Sequence, residues 1–103
     1  MANYKNQTGR FTKGRLLMNK RFEESNIIRH YFERLLPQEI YVQVLPNLKH
    51  KVFELCFTFF FDKTWIRQTR FLICFSSWKK VLNKQGYYFA KEIRDGYAKK
   101  INR

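Results

Sequence analysis

The stretch KVFELCFTFFF, residues 51–61, is the densest apolar segment of the chain and holds five of its eleven phenylalanines. From Phe53 to Phe61 every second residue is apolar, whereas the residues between them mix polar and apolar types. A period of two residues is that of a β-strand with one buried face. The stretch therefore predicts a strand that packs one side against the rest of the protein. Its predicted buried residues are Phe53, Leu55, Phe57, Phe59 and Phe61.

Two shorter apolar segments flank this strand, IYVQVL at residues 40–45 and TRFLICF at residues 69–75. Both are rich in β-branched and aromatic side chains, which favour strands. Pro46 and Asn47 form a turn signal after the first segment, and residues 62–64 could form a hairpin loop before the second. The pattern predicts a three-stranded antiparallel sheet. On the returning strand the predicted buried residues are Phe71, Ile73 and Phe75.

A helix is predicted on each side of the sheet region. In residues 20–36, apolar side chains follow the i, i+3, i+4, i+7 rule from Ile28, with Asn19 as N-cap and Pro37 as the stop. After the strands, Ser76 or Ser77 could cap a last helical region.

The last helical region consists of two apolar runs that meet near Gly86. Gly96 lies inside the second run, where glycine costs about 1 kcal/mol relative to alanine. We therefore expect the helix to end at Asp95, with a frayed basic tail beyond it.

These elements predict an α+β fold, in which a helix, a three-stranded antiparallel sheet and a C-terminal helix form a two-layer sandwich. Residues 1–16 lack an apolar period and are interpreted as a flexible basic N-terminal arm, and residues 17–103 as a single α+β domain with a basic C-terminal helix and tail. Tyr41, Phe60 and Leu72 fall on the other side of the sheet. There we expect a second apolar patch, suited to a docking surface or a dimer edge.

Charge is the strongest indication of function. The chain has 21 Lys and Arg against 8 Asp and Glu, for a net charge of +13. Such an excess favours an acidic partner, either nucleic acid or an anionic membrane, with a protein partner as a further alternative. The chain shows no secretory signal and no apolar run long enough to span a bilayer. We therefore expect nucleic acid, RNA rather than DNA, together with neighbouring proteins and no membrane.

Basic residues concentrate at the two ends of the chain, with six in the first 22 residues and eight in residues 79–103. Cations in such clusters bind phosphates and release counterions. Trp65, predicted to lie with Arg67 in the polar loop, and Tyr87-Tyr88 beside Lys84 are candidates for stacking on unpaired bases. The predicted nucleic-acid-binding residues are Lys5, Arg10, Lys13, Arg15, Lys20, Arg21, Trp65, Arg67, Arg70, Lys79, Lys80, Lys84, Lys91, Lys99, Lys100 and Arg103.

The order helix, three strands, helix resembles that of double-stranded RNA-binding domains. The likeness lies in LKHKVFELCFTF, residues 48–59, where a His precedes the second strand, and in the basic start of the last helix. Such domains place a glycine and a tight lysine cluster at that helix start, where this chain has SSWKKVLNK, residues 76–84. The resemblance is one of topology, and no functional residues are carried over from it.

Signals for catalysis or cofactors are weak. The chain has no P-loop, no GxGxxG, no paired carboxylate signature and no metal motif, so we expect no catalytic residues, metal or cofactor. Cys56 and Cys74 are interpreted as buried reduced thiols, with a disulfide between paired strands as the alternative. A basic ribonuclease could still use Lys, Arg, His and Tyr for acid–base chemistry. The residues for that alternative are Lys49, His50, Arg67, Arg70 and Tyr97.

The sequence thus favours a small, non-catalytic RNA-binding protein, a structural component of a ribonucleoprotein such as an organellar or bacterial ribosome. The alternatives are a phage or plasmid DNA-binding or host-takeover protein and a small ribonuclease toxin. We expect an intracellular location, either the mitochondrial matrix or the cytoplasm. The basic N-terminus fits both a mitochondrial targeting segment and the tail of a ribosomal protein.

Overall fold

The predicted order of elements is the one that the computed structural model contains. The structure describes the backbone of residues 2–62 and 65–101, and the side chains of residues 17–60 and 66–101. The elements in chain order are helix α1 (Ala2–Leu35), strands β1 (Tyr41–Asn47), β2 (Val52–Asp62) and β3 (Trp65–Cys74), helix α2 (Trp78–Val81), a π-helical turn (Leu82–Gly86) and helix α3 (Tyr87–Ile101).

The sheet is antiparallel with β2 at its centre, in the order β1-β2-β3. Phe57 of β2 stands opposite Val42 of β1 and Thr69 of β3, so one row of side chains crosses all three strands. The predicted period of two is confirmed, because Phe53, Leu55, Phe57 and Phe59 are each at most 3% exposed. Burial of each ring contributes roughly 1.5–3 kcal/mol. The side chain of Phe61 lies outside the described residues.

Both helical regions pack on this Phe-rich face, which confirms the α+β two-layer sandwich. Ile28 and Phe32 of α1 and Leu36, just after it, enter the core, and the ring of Phe32 meets that of Phe57 edge to face at 5.1 Å. Ile73 of β3 is buried on the same face, opposite Phe53. The C-terminal region adds Trp78, Leu82, Ala90 and Ile93. Phe71 and Phe75, also predicted on the inner face, are partly buried against this core.

Helix α1 begins at Ala2, well before the expected N-cap at Asn19. Its backbone therefore includes residues 2–16, which we predicted to be an arm without regular structure. The contacts that anchor α1 begin at Arg21, which packs on Phe75, and continue through the core residues from Ile28 onward, and a helix propagates at low cost once it has been nucleated. The side chains of residues 1–16 lie outside the described residues, so their role as a basic arm stays a prediction.

The predicted end of the last helix at Asp95 is wrong, because α3 continues to Ile101. The cost of Gly96 is offset by the packing around it. Tyr97 meets the ring of Phe59 edge to face at 5.0 Å, and Ile93 is buried one turn earlier. The two runs that we expected to meet near Gly86 are joined by the π-helical turn, which keeps them in one continuous rod.

The other face of the sheet is open within the described part of the chain. Tyr41 is 71% exposed, Leu72 69% and Phe60 58%, which confirms the predicted second apolar patch. Leu45 and Ile66 are also exposed on these strands. We define the open face by its described large apolar residues, Tyr41, Leu45, Phe60, Ile66 and Leu72.

The two cysteines are both free thiols, but the prediction that both are buried is wrong. Cys74 is exposed and Cys56 is half-buried. Cys74 stands opposite Val52, four residues along β2 from Cys56. At about 3.3 Å per residue the two sites are ~13 Å apart, beyond the reach of a disulfide.

Candidate nucleic-acid interface

Four exposed side chains recur along the outward side of the C-terminal helical rod, at intervals of three or four residues. We define the basic stripe as Lys80, Lys84, Tyr88 and Lys91. Residues at this spacing are neighbours on one side of a helix. The opposite side of the rod holds Leu82 and Ala90 in the core, so the stripe points away from the sheet.

The stripe lies in a segment without acid. Residues 78–91 contain four lysines and no Asp or Glu. Among the described residues the two ion pairs are Arg21–Glu24 and Arg29–Glu33, both within α1. The lysines of the stripe therefore have no intramolecular carboxylate partner in the part of the chain that the structure describes. Such cations attract phosphate without first breaking an ion pair.

Lys79 adds a further cation at the start of the rod. Its Nζ lies 5.5 Å from the centre of the Trp78 ring, within cation–π range. The indole Nε1–H donates a hydrogen bond to Oε2 of Glu24 at 2.8 Å, which ties α2 to α1. Because Trp78 is 6% exposed, this contact fixes the beginning of the rod relative to the sheet.

Arg21 was predicted to contact phosphate, but its guanidinium is already engaged. Its Nη1 donates to Oε1 of Glu24 at 2.6 Å, and its Cζ lies 4.3 Å from the centre of the Phe75 ring. The N–H of Phe75 donates in turn to the carbonyl of Lys51 at 3.0 Å. Arg21 therefore serves mainly to pack α1 against the end of the sheet.

Lys49 and Lys51, which the sequence analysis did not place among the nucleic-acid-binding candidates, are two further exposed cations on the turn between β1 and β2. Lys51 has a backbone φ of 55°, the left-handed region that a tight turn requires. The turn is closed by Asn47, whose Oδ1 accepts the N–H of His50 at 3.1 Å. The Pro46-Asn47 turn signal could have indicated that LKHK, residues 48–51, is a solvent-facing loop.

Arg67 and Arg70 lie on opposite faces of β3. Arg67 lies beside Gly96 and lines a groove with Glu92 and Asp95, so acids share its surroundings. Lys99 and Lys100 line the same groove. Arg70 stands opposite Cys56, and its Nη2 donates to Oε1 of Gln68 at 3.5 Å. The structure therefore places Arg70 on the face opposite the rod, and Arg67, Lys99 and Lys100 at the C-terminal end of the rod with two acids among them.

The remaining predicted contacts are divided between exposed and undescribed side chains. Lys20 is exposed on α1, eight residues before the first core residue of that helix, Ile28. Six predicted side chains lie outside the described residues, namely those of Lys5, Arg10, Lys13, Arg15, Trp65 and Arg103. Trp65 was expected in a loop, whereas its backbone begins β3.

The tyrosine pair predicted for stacking is exposed, Tyr87 at 53% and Tyr88 at 66%. The two ring centres are 6.0 Å apart and the rings stand at 79° to each other. The guanidinium Cζ of Arg94 lies 5.7 Å from the centre of the Tyr87 ring. Two aromatic rings are thus held next to cations on the outer side of the rod.

The residues of the ribonuclease alternative are not brought together. Lys49 and His50 lie in the turn next to Val52, whereas Arg67 pairs with Phe59, seven residues along β2. That offset corresponds to about 23 Å. Arg70 is on the open face and Tyr97 packs on Phe59. These five side chains therefore do not form one catalytic site.

Other kinds of site have less support. Within the residues that the structure describes, no cluster of His, Cys, Asp and Glu could hold a metal ion. No described helix combines the length and the apolar character that are needed to cross a membrane. The resemblance to double-stranded RNA-binding domains stays at the level of element order. Comparison of the chain with protein-family models, with curated proteins and with solved structures finds no match in any of the three.

Proposed function

We propose that this chain is a small, non-catalytic RNA-binding protein whose principal phosphate contacts come from the C-terminal helical rod. The observation that carries the proposal is the basic stripe together with Lys79. These lysines are exposed, and no described carboxylate pairs with them. A net charge of +13 adds a long-range attraction for any polyanion.

The fold presents these cations on a rigid support. Trp78 and Leu82 anchor the rod to the sheet at its beginning, and Ala90 and Ile93 anchor it further along. Because the rod is fixed against the core, Lys80 and Lys84 are held at a set spacing along it. A preorganised row of cations pays less ordering entropy on binding than lysines in an unstructured tail.

The proposed setting is a ribonucleoprotein such as an organellar or bacterial ribosome, in the mitochondrial matrix or the cytoplasm. Residues 1–16, with four basic side chains and no acid, would extend the contact to further phosphates. The open face, on the other side of the sheet from the rod, leaves a surface for neighbouring proteins. Its five exposed apolar residues support this part of the proposal.

A filter-binding titration against salt tests the proposal. If Lys79, Lys80, Lys84 and Lys91 each neutralise one phosphate, log Kobs falls against log salt with a slope of about −3 to −4. Contacts from residues 1–16 would make the slope steeper. An affinity for structured RNA that does not change between low and moderate salt contradicts the proposal.

Competition between structured RNA and duplex DNA then separates RNA binding from the DNA-binding alternative. At one salt concentration we expect unlabelled structured RNA to displace the labelled RNA at a lower concentration than duplex DNA of equal charge does. Better displacement by duplex DNA would favour the phage or plasmid DNA-binding alternative.

A further inference from the structure

We infer that Tyr88, flanked by Lys84 and Lys91, is a stacking site for an unpaired base, so that the rod binds single-stranded segments of RNA. The inference rests on the proposed function and makes it more specific, since it names the form of the nucleic acid. It starts from an exposed ring that the core does not use, because Tyr88 is 66% exposed.

The neighbours of Tyr88 define the chemistry of the ligand. Lys84 precedes Tyr88 by four residues and Lys91 follows it by three, and both lysines are exposed. An apolar protein partner that covered the ring would also remove water from these two ammonium groups, which costs free energy unless each gains a partner. A nucleotide supplies a partner for the ring and for both ammonium groups, because its base stacks on the ring and its phosphates bind the lysines.

Tyr87 and Arg94 limit the orientation of the Tyr88 ring. The Tyr87 ring stands at 79° to that of Tyr88 at a centre-to-centre distance of 6.0 Å, an edge-to-face contact. Arg94 lies 5.7 Å from the centre of the Tyr87 ring and is half-buried. Tyr87 is therefore a positioning residue that limits the orientations open to Tyr88.

The geometry favours unpaired over paired bases. In a duplex each base is stacked between its neighbours and exposes only its edges in the grooves. A tyrosine ring on the convex outer side of a helix has access to the face of a base only where the strand is single or the base is turned out. The lysines, by contrast, bind the phosphates of either form.

The acids near the site lie toward the C-terminal end of the rod. Glu92 follows Tyr88 by four residues and Asp95 follows Lys91 by four, and both line the groove that also holds Arg67. The cationic side of Tyr88 is therefore the one toward Lys84 and Lys80. This polarity predicts that the strand extends from Tyr88 toward the start of the rod, away from the acids.

The test uses the full chain and three labelled probes, an unstructured RNA oligonucleotide, an RNA duplex of the same length, and inorganic polyphosphate. Fluorescence anisotropy measures the dissociation constant of each at one salt concentration. We expect Tyr88→Ala to weaken oligonucleotide binding about 5- to 150-fold, the range for loss of one base–aromatic stack. Tyr88→Phe keeps the ring and should stay within about twofold of the unsubstituted protein.

Controls separate stacking from charge and from folding. Tyr88→Ala should leave duplex and polyphosphate binding unchanged, because neither offers an unpaired base. Tyr41→Ala removes an equally exposed tyrosine, 71% exposed, from the open face and should not change oligonucleotide binding. The circular-dichroism spectrum and thermal midpoint of Tyr88→Ala should match those of the unsubstituted protein, since the ring is not part of the core.

The possible failures are distinguishable. If the unsubstituted protein binds neither RNA nor polyphosphate, the proposed function and the stacking site are both wrong. If it binds all three probes and Tyr88→Ala binds the oligonucleotide equally well, only the stacking site is wrong. If Tyr88→Ala weakens polyphosphate binding by the same factor as oligonucleotide binding, Tyr88 acts by positioning the lysines rather than by stacking on a base.

Discussion

The side chain of Tyr31 on α1 fills the space in which residue 86 would otherwise carry a Cβ. A Cβ on Gly86 would lie 2.5 Å from the hydroxyl oxygen of Tyr31 and 2.7 Å from its Cε1. The same hydroxyl donates a hydrogen bond to the carbonyl of Leu82 at 3.3 Å. Gly86 ends the π-helical turn that Leu82 begins, so the irregular turn and the tyrosine fit together.

This contact predicts that Gly86→Ala destabilises the protein, although alanine has the higher helix propensity. Tyr31 must move, losing its bond to Leu82 and its edge-to-face contact with Phe32 at 5.1 Å. We expect a loss of about 1–2 kcal/mol in the free energy of unfolding, within the range for overpacking, measured by urea denaturation. In a Tyr31→Ala background the same change should become neutral or stabilising, by up to about 1 kcal/mol. A loss that persists without the ring would show that Tyr31 is not the cause.

A second prediction concerns Glu24, which joins α1 to the start of the rod. Its two carboxylate oxygens accept from Arg21 at 2.6 Å and from the indole of Trp78 at 2.8 Å. Glu24→Ala leaves the buried indole N–H without its partner, so we expect a loss of about 1–3 kcal/mol in the free energy of unfolding.

Glu33→Ala is the matched control for Glu24→Ala, since it makes the same change on the same helix. Glu33 pairs with Arg29 at 3.4 Å, and both side chains are more than 40% exposed. Exposed pairs of this kind contribute about 0.5 kcal/mol or less. Equal losses for the two variants in urea denaturation would contradict the role assigned to Glu24.

The strands could be predicted because their signal is local and strong. In β2 the period of two extends across the described side chains, and the register follows from burying one face of it. The Pro46-Asn47 signal separated β1 from β2 but lay two residues too early, since both residues belong to β1 and the turn is formed by residues 48–51. The alternation of apolar and polar residues was therefore sufficient to predict the sheet.

The end of α1 was predicted from Pro37, since the helix stops at Leu35, but the end of α3 could not be predicted, because tertiary contacts decide it. Gly96 would end an isolated helix, but Tyr97 packs against Phe59, a residue 38 positions earlier in the chain. Propensity is a weak prior once such a contact exists. The π-helical turn likewise depends on Tyr31, which no local pattern around Gly86 reveals.

The sequence indicated which basic residues belong to the candidate interface, but not how the fold arranges them. The lysines at 80, 84 and 91 were identified from charge density alone. That Arg21 is engaged with Glu24 and Phe75 depends on how α1 crosses the sheet, which the sequence does not state. The placement of Arg70 on the open face follows from the register of β3, since Arg70 alternates with the inward-facing Phe71.

A third prediction compares a phenylalanine on the buried face of β2 with a phenylalanine on its open face. Phe57 is 1% exposed and lies 5.1 Å from the ring of Phe32, whereas Phe60 is 58% exposed. Phe57→Ala should cost about 3–5 kcal/mol in the free energy of unfolding, and Phe60→Ala less than about 1 kcal/mol. Should Phe57→Ala fail to fold, Phe57→Leu keeps most of the volume and should cost about 1 kcal/mol. A larger loss at residue 60 than at residue 57 would mean that the register is inverted.

The last prediction compares the contributions of two basic residues to RNA binding, each of which adds one unit of positive charge. Lys84 belongs to the basic stripe, whereas Arg70 lies on the open face beside Gln68. Removing a phosphate contact lowers the steepness of the salt dependence by about 0.7–0.9. Lys84→Gln should therefore weaken RNA binding and flatten the plot of log Kobs against log salt by that amount, in the filter-binding assay.

Arg70→Gln is the control for Lys84→Gln, because it removes the same unit of charge from the other side of the sheet. It should leave the slope unchanged and lower the affinity only slightly, through the reduced long-range attraction. Equal flattening by both substitutions would mean that RNA contacts both sides of the sheet or responds to net charge alone. Flattening by Arg70→Gln only would place the RNA on the open face and contradict the interface proposed on the helical rod.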